Sequence, residues 1–227
     1  MSSKFQVASS KFKTKFLLLF FSVLTWNFLW AQPPTGAAFL KIPVGARAVG
    51  LGSAYSALVD DASALYWNPA GIGRIGITDI MASHNEWIAD TKESYLGIAQ
   101  RLAGTQVLGV SYLTLYMDPL DRRGENGEKL GTFIAQDRAI GVTWAMNFSY
   151  LLSIGATAKR IEQRLDNIAA VGHAADFGLQ FRPHRRFFVG AAMQNVGSPM
   201  KYVREAYALP TTLRGGVGYR LGQTVTL

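Results

Sequence analysis

The sequence has no cysteine, few charged residues and, after its first 31 residues, no apolar run long enough to cross a membrane as a helix. Without cysteine, the chain has neither a disulfide framework nor a thiolate metal site. The formal charge of +8 does not indicate nucleic-acid binding, because four lysines and no acidic residue precede residue 32. The remaining residues hold 19 basic and 15 acidic side chains, an excess too weak and too scattered for a nucleic-acid interface.

Residues 1–31 are predicted to be a secretory signal peptide. Four lysines precede an apolar run from Phe16 to Trp30, and Ala31 follows that run. Leu29 is larger than the small residue usually found two positions before a cleavage site, so the cleavage position stays open. A membrane anchor is the alternative, although the run is short for a full span. We therefore expect the mature chain to leave the cytoplasm.

From about Ile77 onward, bulky apolar residues alternate with small or polar ones, which is a strand pattern. In residues 139–146, for example, Ile140, Val142 and Trp144 alternate with Gly141 and other small residues. Several alternating runs reach about nine to eleven residues, a length that suits a tilted membrane strand better than a soluble one. A soluble β-sandwich, which also alternates, is the competing interpretation.

Strands are predicted at residues 77–87, 93–102, 106–117, 137–147, 150–161, 169–182, 187–196, 211–221 and from 224 onward. Their connections alternate between short turns and longer loops, and the longer loops are predicted at residues 88–92, 118–136, 162–168 and 197–210. This order is expected of an up-and-down barrel whose N-terminus lies in the periplasm. The sequence therefore predicts an all-β fold, with residues 77–227 forming an antiparallel transmembrane β-barrel.

Residues 32–76 are predicted to form a short helical plug inside this barrel. Ser53 is a plausible N-cap for one or two alanine-rich helices that reach Trp67 and end before Pro69. Glycines fall mostly on the small-residue face of the strands, which often marks a close approach of another backbone, although barrel curvature also explains them. The positions predicted to face the lumen are Gly141, Gly155, Asp176, Gly178, Arg214 and Gly216.

Three stretches of the chain carry a family resemblance. The stretch 45–71, which ends in Tyr66-Trp67-Asn68-Pro69-Ala70-Gly71, resembles the N-terminal signature of the PorV/PorQ family, a branch of the FadL-like outer-membrane barrels. Residues 175–179 and 194–217 also look like that family. The resemblance implies a barrel of about fourteen strands with the N-terminal segment in its lumen. This chain offers about eight or nine strands and ends at Leu227 without a terminal aromatic, so we expect it to be a fragment.

The resemblance also implies a function. It favours an outer-membrane component of type IX secretion that handles secreted cargo proteins together with other secretion components and performs no reaction. The alternative is a FadL-like channel for a hydrophobic ligand such as a fatty acid. The residues expected to form or gate the plug are Asp60, Asp61, Tyr66, Asn68, Pro69, Ala70 and Gly71.

No catalytic residue, metal site or cofactor is predicted. Residues 71–76 match the dinucleotide-binding fingerprint by letter, but Pro69 and a helix precede them where a strand would be needed. The histidines, His84, His173 and His184, have no metal-ligand spacing.

A basic cluster of Arg182, His184, Arg185 and Arg186 is assigned to a solvated turn. A contact with an acidic partner or with lipid headgroups is the alternative role for that cluster.

Overall fold

A computed structural model describes residues 34–102, 104–221 and 225–226 of the chain. The predicted signal peptide, residues 1–31, lies outside the described residues. The described chain is 60% strand and 12% helix, so the predicted all-β class is confirmed. None of its helices is long and apolar enough to span a bilayer.

One curled antiparallel sheet contains most of the strands, and its order is β1-β2-β3-β6-β7-β8-β9-β12-β13. The long connections between these strands carry two small hairpins, β4–β5 and β10–β11. The strand bounds are β1 Thr78–Glu86, β2 Thr91–Arg101, β3 Gln106–Met117, β4 Leu120–Arg123, β5 Lys129–Phe133, β6 Ala135–Asn147, β7 Leu152–Leu165, β8 Ile168–His184, β9 Phe187–Gly197, β10 Met200–Tyr202, β11 Glu205–Tyr207, β12 Thr212–Leu221 and β13 Val225–Thr226.

The strands of the sheet fall where the alternating sequence predicts them, but two features of the connections differ. The link predicted as a longer loop at residues 162–168 is a two-residue turn, because β7 continues to Leu165 and β8 begins at Ile168. Asp166 in that turn takes a left-handed φ of 55°, which a short polar side chain tolerates. The loops predicted at 118–136 and 197–210 contain the β4–β5 and β10–β11 hairpins, so they are partly ordered as strand pairs.

The two faces of the sheet have opposite character. The inner face, defined here as the face that packs against residues 34–76, carries small and polar residues; the outer face carries bulky apolar ones. Val142 is 54% exposed and Leu213 is 80% exposed on the outer face. The exposed apolar side chains of this face include Leu96, Ile98, Leu108, Val110, Ile140, Val142, Trp144, Val171, Phe177, Leu179, Phe181, Met193, Leu213, Val217 and Tyr219.

Residues 34–76, called the N-terminal segment below, lie against the inner face and contribute much of the buried core. Their helices are short: a 3-10 helix Ala38–Lys41, α1 Ala46–Gly50, α2 Ala64–Trp67 and a 3-10 helix Pro69–Arg74. A further 3-10 turn, Ile88–Asp90, joins β1 to β2. Trp67, Leu65 and Ile72 of the N-terminal segment are almost fully buried against the strands.

The predicted helix from Ser53 to Trp67 is wrong in most of its length. Ser53 has a φ of 64° and follows the end of α1, so it is not an N-cap. Residues between it and α2 form turns: Tyr55 O accepts locally from Leu58 N and Val59 N, whereas Val59 O accepts from Gln180 Nε2 of the sheet. The predicted end of the helix is confirmed: α2 ends at Trp67, and Asn68 and Pro69 follow it.

Candidate functional site

The candidate site is the interface between the N-terminal segment and the inner face of the sheet, and Asn68 lies at its centre. Asn68 is fully buried and is the N-cap of the 3-10 helix that begins at Pro69, where its Oδ1 accepts a hydrogen bond from Ala70 N at 3.1 Å. Its Nδ2 donates to Ser56 O at 2.7 Å and to Leu179 O of β8 at 3.2 Å. One side chain therefore fixes two turns of the segment and joins them to the sheet.

Glycines on β7 and β8 allow the backbone of the segment to approach the sheet. A Cβ at Gly155 would lie 2.7 Å from Ala70 N, and one at Gly178 would lie 2.8 Å from the same atom. These distances are below any normal carbon–nitrogen contact, so only glycine fits at both positions. The expectation that these two glycines mark a close backbone approach is confirmed.

The other two predicted lumen glycines behave differently. A Cβ at Gly216 would meet Ala57 at an ordinary 3.6 Å, so this position tolerates a small side chain. A Cβ at Gly141 would lie 2.7 Å from Ser111 Oγ on the neighbouring strand and does not meet the segment. The absence of a side chain at Gly141 therefore makes room for Ser111 of the neighbouring strand, and not for the segment.

Polar side chains of the inner face satisfy the irregular backbone of the segment. Ser153 Oγ donates to Ala70 O at 2.6 Å, and Gln180 Nε2 donates to Val59 O at 2.7 Å. Gln194 Nε2 donates to Tyr66 O in the same way. Since a buried carbonyl group without a partner is costly, these donors allow a non-helical segment to be buried. The sequence pattern assigns these donors no role, although polar residues at the buried positions of otherwise apolar strands were an available indication.

A second group of polar residues lies deeper on the inner face. Asp176 is fully buried, forms an ion pair with Lys159 at 2.5 Å and accepts a hydrogen bond from Asn195 N at 2.8 Å. Nearby, Arg214 Nε donates to Gln194 Oε1 at 2.7 Å. Asp176 and Arg214 therefore lie on the inner face of the sheet; that this face lines a barrel lumen stays a prediction.

Arg214 also makes an aromatic contact: its guanidinium carbon lies 4.7 Å from the centroid of the Trp67 ring. A cation over an indole face is an attractive arrangement, and it is stronger when the pair is removed from water. Arg214 therefore joins β12 to the N-terminal segment through its hydrogen bond and its ring contact.

The acidic residues predicted to gate the plug make contacts mainly within the segment itself. Arg47 Nη1 lies 3.6 Å from Asp60 Oδ1 and 3.3 Å from Asp61 Oδ2. Asp61 also accepts hydrogen bonds from Tyr55 OH at 3.1 Å and from Ser63 N at 3.0 Å. These contacts brace the turn before α2.

Tyr66 and Gly71 complete the predicted set. Tyr66 OH donates to Ile42 O at 2.7 Å and lies 3.0 Å from Leu40 O. Burial raises the pKa of Tyr66 well above its usual value, which keeps the hydroxyl protonated as a donor. Gly71 packs against Val59, where a Cβ would lie 2.7 Å from the carbonyl oxygen. These positions thus hold the segment in shape.

Little space remains between the segment and the sheet around Leu65, although a cavity of about 380 Å³ lies elsewhere between Arg47 and Phe188. The cavity bordered by Leu65, Tyr66 and Tyr95 has a volume of about 20 Å³. A volume of that size holds about one water molecule. Within the described residues, no group of three or more His, Cys, Asp or Glu side chains is placed to hold a metal ion. Close packing and hydrogen bonding characterise the centre of this interface.

The structure therefore defines an all-β protein whose curled sheet has an apolar outer face and an inner face covered by its own N-terminal segment. Residues 34–162 match the family described as the uncharacterised protein family UPF0164, and the chain belongs to that family. The match includes the N-terminal segment and runs from β1 into β7. No curated protein matches the chain.

Proposed function

We propose that this chain is an outer-membrane β-barrel protein of the PorV/PorQ type that performs no reaction and handles secreted cargo proteins in type IX secretion. The observation that carries this proposal is the contrast between an outer face of exposed apolar side chains and an inner face filled by the N-terminal segment. The proposal includes export through the predicted signal peptide and residence in the outer membrane.

Lipid contact is the simplest account of the outer face. The exposed apolar side chains lie on β2, β3, β6, β8, β9 and β12, from Leu96 to Tyr219. A soluble monomer rarely exposes a continuous apolar patch of more than a few hundred Å². Transmembrane barrels, in contrast, carry an apolar band outside and polar residues inside. A soluble sandwich would turn the same apolar face inward, which supports the membrane interpretation over it.

The filled inner face favours cargo handling over a hydrophobic conduit. A fatty-acid path needs a continuous apolar passage several carbon diameters long, whereas the cavity beside Leu65 and Tyr95 holds about one water molecule. Asn68 makes two hydrogen bonds within the segment and one to Leu179 O of β8, so the segment is anchored where a gate would have to move. A protein-handling barrel needs no such passage, because its cargo contacts the exposed loops.

Purification from the native outer membrane tests this function. We expect the affinity-tagged full-length protein to co-purify with secreted proteins that share a C-terminal domain, since those proteins are the cargo in this proposal. The control is an unrelated outer-membrane barrel with the same tag, prepared from the same cells. Recovery of bound fatty acid or lipid without any such protein would contradict cargo handling and favour the conduit.

A further inference from the structure

Three arginines from distant parts of the chain converge at one end of the sheet, where β6 turns into β7 and β8 turns into β9. Arg74 ends the second 3-10 helix of the N-terminal segment, Arg182 lies near the end of β8, and Arg220 lies near the end of β12. The guanidinium carbons of Arg182 and Arg220 lie 4.9 Å and 5.3 Å from the ring centroid of Phe188. We call the cavity that these residues border, about 320 Å³ in volume, the arginine pocket; it is lined by Arg74, Tyr150, Arg182, His184, Arg185, Phe188 and Arg220.

The assignment of Arg182 to a solvated turn is wrong. Its backbone is held in the sheet by a hydrogen bond to Leu151 O at 2.7 Å. Arg182 lies on the inner face of β8, and its side chain packs over the Phe188 ring, so its Nε and Nη2 atoms are buried. The exposed residues of the predicted cluster are His184, Arg185 and Arg186.

Several guanidinium nitrogens in the arginine pocket have no hydrogen-bond acceptor among the residues that the structure describes. Arg74 Nε donates to Gln180 Oε1 at 3.0 Å and Nη1 donates to Tyr150 O at 3.2 Å, but within the described chain its buried Nη2 has no hydrogen-bond acceptor. Nε and Nη2 of Arg182 are buried and equally without an acceptor among the described residues. Buried donors of a charged group are rarely left unpaired in native proteins, since this forfeits their interaction with water.

The positive charge of this pocket is not neutralised by the nearest acid. Burial, and then the charge of Arg182, lower the pKa of Arg74 to about 10, so its guanidinium remains cationic at neutral pH. Asp60 acts on Arg74 in the opposite direction, but its carboxylate pairs with Arg47 at 3.6 Å. A bound anion would relieve the repulsion between the arginines and accept their unused hydrogen bonds.

We propose that the arginine pocket binds the phosphate group of a phosphorylated ligand. Nε and Nη2 of one guanidinium form a planar pair of donors that matches two phosphate oxygens, and Arg182 has both of these atoms unused. Arg74 Nη2 supplies a donor for a further oxygen, and Arg220 adds a third positive charge. A phosphate monoester offers three terminal oxygens and a charge near −2, which suits this set better than the two oxygens of a carboxylate.

Two sources can supply such a group: a free phosphorylated small molecule, or a phospholipid headgroup at the membrane surface. The pocket is bordered by Tyr150, in the turn between β6 and β7, and by His184, the last residue of β8. It therefore lies at an end of the sheet and not at its middle. Both sources share the chemistry of the phosphate oxygens, and the experiment separates them.

Phosphate binding to the purified full-length protein in a non-ionic detergent tests the inference. Inorganic phosphate is titrated while the 31P NMR line width is followed, and retention of phosphatidic acid is measured separately by native mass spectrometry. We expect Arg182→Gln to weaken the binding of whichever probe the site accepts by about tenfold or more, because two charge-assisted hydrogen bonds are lost. Arg182→Lys keeps the charge but loses the paired donors, so we expect an intermediate affinity.

Arg186→Gln is the matched control, since it removes the same charge from the adjacent turn and Arg186 does not border the pocket. We expect it to change affinity by less than about twofold, as for an exposed, screened charge. Binding of inorganic phosphate that depends on Arg182 identifies a free ligand; retention of phosphatidic acid that depends on Arg182 and resists inorganic phosphate identifies a lipid. Equal binding to Arg182→Gln and Arg186→Gln, or acetate binding as tightly as phosphate, would overturn the inference.

Discussion

Replacing Gly155 with valine is expected to force the N-terminal segment away from the sheet and to lower the free energy of unfolding by about 3 kcal/mol or more. The added Cβ would lie 2.7 Å from Ala70 N and would also meet the carbonyl group of Pro69. Both are backbone atoms, and the hydrogen bonds of Asn68 on either side prevent them from moving aside. The effect arises from the contact alone, because valine favours the strand conformation that Gly155 already has.

Urea unfolding of the detergent-solubilised protein, followed by tryptophan fluorescence, measures this effect, since Trp67 lies in the interface. Gly215→Val is the matched control: Gly215 lies on β12 of the same sheet, and an added Cβ there would meet no atom within 4 Å. We expect its free energy of unfolding to stay within about 0.5 kcal/mol of the wild-type value. Similar midpoints for the two variants would mean that the segment does not pack on β7.

Removing the Asp176 carboxylate is also expected to lower the free energy of unfolding, by about 3–5 kcal/mol for Asp176→Leu. The substitution leaves the ammonium group of Lys159, whose side chain is only 10% exposed, without its counter-charge. It also removes the acceptor for Asn195 N. Equilibrium unfolding in urea again provides the measurement.

The double variant Asp176→Leu with Lys159→Met distinguishes loss of charge balance from loss of packing. Because it removes both members of the buried ion pair together, we expect it to regain a large part of the lost stability. Glu162→Gln is the control for an exposed pair: Glu162 lies 2.7 Å from Arg138, and its loss should cost about 1 kcal/mol or less. If Asp176→Leu costs no more than Glu162→Gln, the buried pair does not stabilise the fold.

The strands of the sheet could be predicted because each one carries its own pattern. In β6, the alternation of Ile140, Val142 and Trp144 with small residues is sufficient to identify the strand and its exposed face. The ends of strands are less clear. Continuation of β7 and β8 to the turn at Asp166 depends on pairing between the two strands, and the sequence around residues 162–168 is too polar to show alternation.

The conformation of the N-terminal segment could not be predicted from its own residues. Its alanine content favours helix, but the turns between Ser53 and α2 are held by a donor far away in the sequence, Gln180, which binds the carbonyl groups of Ser56 and Val59. Local propensity is a weak preference that such tertiary contacts override. The Asn68-Pro69 pair was more informative, because proline excludes a continuing helix and asparagine is a strong N-cap.

The arginine pocket could not be predicted from the sequence either. Arg74, Arg182 and Arg220 are separated by many residues, and no spacing rule connects them. Their convergence follows from the order of the strands, which places β8 and β12 on either side of β9 and Phe188 between the two arginines. Residue parity indicates which face each strand residue occupies, but not which residues of different elements meet.

A single-cysteine scan along β6 tests the central claim, that the outer face of the sheet lies in lipid while the inner face is covered by the chain itself. The absence of native cysteine allows one fluorescent label per variant, placed in turn at Ala139, Ile140, Val142 and Thr143. In liposomes with quencher-bearing lipid chains, we expect strong quenching at Ile140 and Val142 and little at Ala139 and Thr143. Absence of quenching at Ile140 and Val142, with ready labelling of both by a water-soluble maleimide, would contradict it.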